Sequence, residues 1–223
     1  MTFSIVARDA SGAIGSAICS SSPAVAARCV HLADGVGGVN SQNVTDPRLG
    51  PAVLDRLRAG MPAGDALRAE TDAAPDVEFR QLLVIDARGG TGAYSGARAL
   101  GLFGHAVGDG TAAGGNMLAS ADIPQLMVEA FAVATGDLEV RLLSAMTAAM
   151  AAGGEAGPVH SAGLSVVREA GWRVTDLRVD WTDGDPVAEL GGLLDRWLPQ
   201  RDAYVTRALA PAAAPSYGVP GDE

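Results

Sequence analysis

The order of segments in this 223-residue chain predicts an α+β fold, with two antiparallel sheets held between layers of helices. Three observations carry that expectation. Short β-rich runs gather in groups at the start, middle and end of the chain. Two pairs of segments with helical spacing separate those groups. Turn residues, Asp9 to Gly12, Arg88 to Gly90 and Ala170-Gly171, join neighbouring strand segments as hairpins rather than as crossovers.

Residues 3–7 (FSIVA) form the first strand segment, and 13–20 (AIGSAICS) return as its hairpin partner. A Gly-rich third strand over 35–42 implies close approach by backbone or ligand. The period then changes. Leu49, Val53, Leu54 and Leu57 recur at helical spacing over 48–59, and Ala66 and Leu67 do so over 62–74. Gly60 stops the first helix, and Pro62 suits the first turn of the second. Strands follow at 79–86, 91–96, 102–108 and 111–118, then helices at 122–135 and 137–152, split by Gly136. Residues 160–169 and 172–181 make a last hairpin. Asp185 caps a final helix with Pro186 at its first position; Pro199 is expected to end it near Trp197, with a separate helical piece at 203–209. One domain is expected over 1–209, followed by an Ala/Pro-rich arm over 210–223, extended or disordered.

Composition narrows the chemistry. All sixteen basic residues are arginine, so neither a pyridoxal Schiff base nor a P-loop lysine nor a lysine base can be built. The formal charge of −10 disfavours nucleic acid. Two cysteines, Cys19 and Cys29, make no disulfide framework or zinc pattern, and the histidines His31, His105 and His160 have no metal-ligand spacing; no metal and no cofactor is expected. With no signal-like segment and no apolar run of about 18 residues, the expected setting is cytoplasmic and away from membranes.

Thr2 is small enough for Met1 to be removed, which would leave a hydroxyl nucleophile and an α-amine base on one residue, at the mouth of a strand. Ser4 and Cys19 stand next in line as nucleophiles. Gln42, Asn43 and Thr45 make the end of the third strand polar: they either bind a carbonyl or belong to a capping turn with Asp46. Gly114, Gly115 and Asn116 allow close backbone approach beside an amide that could stabilise an oxyanion, or else form a tight turn or bulge. Ser20, Ser21 and Ser22 read as a loop or a polar pocket wall. Cys19 reads as a small core residue.

The opening MTFSIVARDASGAIGSAICSSSPAV resembles that of N-terminal-nucleophile (Ntn) hydrolases. The blocks FSIVARD (3–9), GVGGVNSQNVTDPRLGP (35–51), YSG (94–96), GHAVGDGTAAGGNML (104–118), HSAGLSVVRE (160–169) and DLRVDWTDGDPVAEL (176–190) more closely resemble domain-of-unknown-function family 1028, placed in that superfamily. The resemblance implies a four-layer αββα sandwich and, as superfamily habit, hydrolysis of an amide bond in a small molecule. It implies Thr2 as nucleophile with Asn116 as oxyanion donor. Substrate would be held by Ser4, Gln42, Asn43, Thr45, Ser95, His105 and Gly115. The chain departs from the proteasome-like branch in having no lysine beside the nucleophile; Arg8 or Arg28 could supply the positive field but not an accepting amine. A non-catalytic small-molecule binding module on the same fold is the alternative, and a homo-oligomer is expected.

Overall fold

The computed structural model describes residues 1–221. Ten strands and six α-helices follow in the order β1 (Thr2–Arg8), β2 (Ile14–Ser20), α1 (Val25–Cys29), β3 (Val30–Ala33), β4 (Gly37–Asn43), α2 (Leu49–Arg58), α3 (Ala63–Ala73), β5 (Arg80–Asp86), β6 (Thr91–Ser95), β7 (Gly104–Gly108), β8 (Thr111–Asn116), α4 (Ile123–Val133), α5 (Leu138–Ala151), β9 (Ser161–Val167), β10 (Arg173–Val179) and α6 (Pro186–Leu209). The six-stranded sheet runs β10-β9-β2-β1-β8-β7 and the four-stranded sheet β3-β4-β5-β6. Every pairing is antiparallel.

The alternation of β1 explains the layers. Phe3, Ile5 and Ala7 enter a core with Met127 and Phe131 of α4 and Leu138, Leu142 and Met146 of α5. Val6, on the opposite face, packs with Ile14, Leu83, Ile85 and Ala112 between the two sheets. Beyond the second sheet, Val39, Leu82 and Val84 meet Leu49, Val53, Leu54 and Leu57 of α2 and Ala66 and Leu67 of α3. The chain is therefore a four-layer αββα sandwich. Small residues set the spacing: a Cβ at Gly15 of β2 would lie 2.6 Å from Leu142 Cδ1, so glycine lets α5 settle onto the sheet.

The structure departs from the sequence reading at two places. Residues 25–33 form α1 and β3, too short to leave a period in the sequence. The Gly-rich strand is closely approached by backbone, as expected, and also by side chains: a Cβ at Gly37 would meet Ile85 O and Leu57, and one at Gly38 would meet Leu32 and Val6. Pro199 does not end the last helix, which continues from Pro186 to Leu209. Its missing N–H costs one backbone bond. The turns on either side are held by Trp197 Nε1, which donates to Thr175 Oγ1 at 3.0 Å, and by Arg201, which binds Asp137, Glu139 and Asp202. Asp185 caps this helix as expected, accepting from Val187 N at 2.8 Å and Ala188 N at 3.1 Å. In the terminal arm, Tyr217 folds back so that Arg207 lies 3.8 Å from its ring centroid; residues 222 and 223 of the expected arm lie outside the described residues.

Glu139 locks α5 to α6 and β10. It is fully buried, accepts from Arg168 NH2 at 2.8 and 2.7 Å and from Thr175 Oγ1 at 2.8 Å, and pairs with Arg201 at 3.2 Å. Removing it takes the carboxylate from Arg168 and one of three from the buried Arg201, and leaves Thr175 Oγ1 without its acceptor. Glu139→Ala is expected to lower stability by about 3–5 kcal/mol, read as a lower denaturant midpoint; a midpoint matching the parent would show the cluster to be incidental.

Candidate active site between the sheets

One end of the space between the sheets is polar. Ser4 Oγ donates to Gln42 Oε1 at 2.6 Å, and Gln42 Nε2 donates to Gln81 Oε1 at 2.8 Å and Gly114 O at 3.2 Å. Gln81 Nε2 faces Ser95 Oγ at 2.8 Å and the carbonyls of Gly104 and Gly115 at 3.0 Å each. Ser95 Oγ in turn lies 2.9 Å from His105 Nδ1. Two carbonyl partners fix which end of the Gln81 amide carries hydrogens, so its Oε1 must be the acceptor. It accepts from Gln42 and, at 3.2 Å, from Asn116 Nδ2. That orients Asn116 and leaves its Oδ1 fully buried with no hydrogen-bond partner among the described residues.

Asn116 stands directly across from Thr2 in the β1–β8 register. Thr2 is 5% exposed. Its Oγ1 donates to the Met1 carbonyl oxygen and lies 3.4 Å from Ser20 Oγ. Ser20 Oγ donates to the same carbonyl oxygen. Behind it, Ser22 Oγ is 2.8 Å from Ser20 Oγ, and Arg28 NH2 donates to Ser22 Oγ at 3.0 Å. The serine loop is anchored: Ser21 N points at both Glu155 carboxylate oxygens at 3.3 Å, Ser161 Oγ donates to Ser22 O at 2.6 Å, and His160 N donates to Ser20 O at 2.9 Å.

Glu155 comes from the loop after α5, where it bridges to Leu118, and is 4% exposed. Burial pushes its carboxyl up from 4.5 to about 7, opposed by the positive chain terminus and the Ser21 contact. A carboxylate and a guanidinium thus flank the start of β1.

The matching family model covers residues 2–190 and is described as a family of unknown function, DUF1028. This chain belongs to the DUF1028 family. A crystal structure of a Silicibacter pomeroyi protein, itself described by the DUF1028 family model, is 30% identical and superposes with a TM-score of 0.81 over 87% of this chain and 88% of that one. Anbu, the ancestral β-subunit from Yersinia bercovieri, reaches a TM-score of 0.41 at 11% identity over 91% of this chain and 97% of that one, too distant to carry an argument. No curated protein matches the sequence.

In this DUF1028 chain Ser4, Gln42, Ser95, His105, Gly115 and Asn116 meet in one seam, with Thr2 at its end. Gly115 has a steric reason: a Cβ there would lie 2.5 Å from Leu118 Cδ2. Asn43 and Thr45 lie outside the seam. Asn43, at φ 71°, donates through Nδ2 to Phe79 O and accepts from Leu100 N at 3.2 Å, while Thr45 Oγ1 faces Cys29 Sγ at 3.5 Å. Asp46 Oδ1 accepts from Arg48 N at 3.0 Å in a turn that leads into α2, whose N-cap is Arg48 with no side-chain cap bond, so this stretch is a turn but neither Thr45 nor Asp46 caps the helix. Cys19 is core, its thiol held far above its ordinary range by burial. Arg8 points to the other end of β1, donating to Asp9 O at 3.1 Å. His160 stacks on Trp181 at 4.2 Å between ring centroids.

Sequence reasoning missed Gln81 and Glu155. Gln81 carried a signal, as the one amide inside the apolar run 81–85; Glu155 carried none. Among the described residues no helix is long and apolar enough to cross a membrane, and no three His, Cys, Asp or Glu side chains converge as a metal site.

Because the Glu155 carboxyl titrates higher when folded, its ionised form opposes folding. The chain should lose stability as pH rises from 4.5 through about 7. Melting curves of the parent and Glu155→Gln should diverge across that window, by up to about 3 kcal/mol in favour of the variant. A difference independent of pH would place the titration elsewhere.

Proposed function

We propose that this protein is an Ntn-type hydrolase that cleaves an amide bond in a small metabolite, with Thr2 as nucleophile once Met1 is removed. The observation that carries the reading is the position of Thr2 Oγ1, on the inner face of a central strand and beside an amide carbonyl oxygen, that of Met1. Loss of Met1 frees an α-amine on the same residue, whose pKa of about 8 suits it to accept the hydroxyl proton. Thr2 Oγ attacks the substrate carbonyl, the C–N bond breaks as the leaving nitrogen takes that proton, and water hydrolyses the acyl ester.

Asn116 serves this chemistry better as an acceptor than as the oxyanion donor its sequence context suggests. Its unpartnered Oδ1 suits an N–H of the Thr2 α-amine across the β1–β8 pair, which would aim the amine lone pair at Oγ. Glu155, whose carboxyl titrates at about 7, lies within electrostatic reach of the chain terminus, and Arg28 supplies a cation to the serine loop's hydrogen-bond chain. The alternative, a binding module whose Gln42, Asn43 and Asn116 amides hold a ligand, is disfavoured because the Gln42 amide is spent on Gln81 and Gly114 O and the Asn43 amide on Phe79 O and Leu100 N, which leaves Asn116 Oδ1 alone. The seam holds the strand ends in place instead.

Protein purified from cells is expected to lack Met1 by intact mass. It should turn over members of an acyl-amide panel, and Thr2→Ala should cut turnover by about 10⁴-fold or more while leaving the melting temperature unchanged. Turnover by protein that keeps Met1, or by Thr2→Ala, would remove Thr2 as the nucleophile.

A further inference from the structure

We propose that Ser20 receives the negative charge that develops on the substrate's carbonyl oxygen, and that Arg28, acting through Ser22, is the positioning residue that keeps the Ser20 hydroxyl aimed at it. The inference rests on Thr2 being the nucleophile.

The Met1 carbonyl is an amide carbonyl held beside Thr2 Oγ1, so its oxygen marks where such an oxygen can be received. The group that receives it, besides Thr2 itself, is Ser20 Oγ. Counting hydrogens fixes the direction of the chain behind it. A serine hydroxyl has one hydrogen, and that of Ser20 is spent on the carbonyl oxygen. Ser22 must therefore donate to Ser20, both from its Oγ at 2.8 Å and from its backbone N at 3.1 Å. Arg28 has donors only, and its NH2 feeds Ser22 Oγ at 3.0 Å. Each link accepts from behind and donates forward, so the guanidinium polarises Ser22, Ser22 polarises Ser20, and Ser20 becomes a stronger donor.

The chain is also preorganised. Arg28 NH1 is tied to Pro23 O at 2.5 Å and Ala24 O at 3.2 Å, at the left-handed Ala24 (φ 49°). The end of β2 at Ser20 and the loop that follows it through Ser22 are pinned by Glu155, His160 and Ser161. A donor fixed before charge develops loses nothing to reorganisation. As Thr2 Oγ bonds to the carbonyl carbon, the C=O π pair moves onto oxygen and the Oγ proton moves to the α-amine. Ser20 donates to the resulting alkoxide. Its collapse restores C=O and expels the leaving group, which takes the proton.

The test uses a β-lactone that acylates an N-terminal threonine, with labelling of Met1-free protein followed by intact mass. Attack at the lactone carbonyl passes through the same kind of alkoxide, and the ring C–O bond is the one that breaks. Ser20→Ala should lower the maximal labelling rate by about 10²-fold with little change in the half-saturating lactone concentration, and Ser20→Thr should restore part of it. Ser22→Ala, which keeps Ser20, and Arg28→Ala should each give a loss of about tenfold, with Arg28→Lys recovering activity by returning the charge. Parent-like labelling of Ser20→Ala, with Thr2→Ala unlabelled, would overturn the role of Ser20 and leave Thr2 as the nucleophile. Parent-like labelling of Thr2→Ala would overturn the nucleophile and this inference together. Parent-like rates in folded Ser22→Ala and Arg28→Ala would break the relay.

Discussion

The arrangement depends on the two hydrogens and the carbonyl oxygen of one buried amide. Gln81 lies fully buried between two sheets, where an unpaired amide would cost more than most hydrogen bonds return. Its two hydrogens and its oxygen are met by atoms from β4, β6, β7 and β8: Gln42, Ser95, Gly104 O, Gly115 O and Asn116. Apolar packing alone tolerates small slides of one sheet over another. A donor facing two carbonyls does not, so this residue sets the register between the layers. It also leaves Asn116 with a free acceptor beside Thr2.

That constraint separates the two halves of the interior. Towards Val6, Ile14, Leu83 and Ile85 the sheets meet through branched apolar side chains, a contact that stabilises without specifying chemistry. Towards Thr2 they meet through serines and amides. β1 crosses both regions; its pairing with β8 begins at Thr2, opposite Asn116, and its pairing with β2 begins at Phe3, opposite Cys19. Thr2 is therefore tied into the sheet along one edge.

The proposed mechanism meets the missing lysine, which set this chain apart from the proteasome-like pattern at the outset, by division of labour. A lysine beside a nucleophile would combine a positive field with an exchangeable proton. In the proposal the cation is Arg28, which cannot give up its proton and would act only through two hydroxyls. Proton acceptance would fall to the Thr2 α-amine, while the Glu155 carboxyl titrates close to neutrality. The positive φ of Ala24 and the buried carboxyl of Glu155 are both costs to the fold, and both lie where the serine loop is held in place.

The sequence by itself determined the layers. The β-rich run at 3–7 and the helical spacing in 49–58 are local properties, because each side chain's direction follows from its neighbours' backbone geometry. The same locality made Asp185 readable as a cap and the stretch after Met1 readable as a strand. It failed at Pro199, where contacts from β10 and α5 outweigh a lost backbone bond. Only the tertiary structure decided which polar residues share a site. Asn43 and Thr45 stand beside Gln42 in sequence yet leave the seam, because the strand ends at Asn43 and the backbone turns there. Ser21 and Glu155 are 134 positions apart and meet. Such meetings follow from sheet order and register, which sum pairings along the whole chain, and no local pattern encodes that sum.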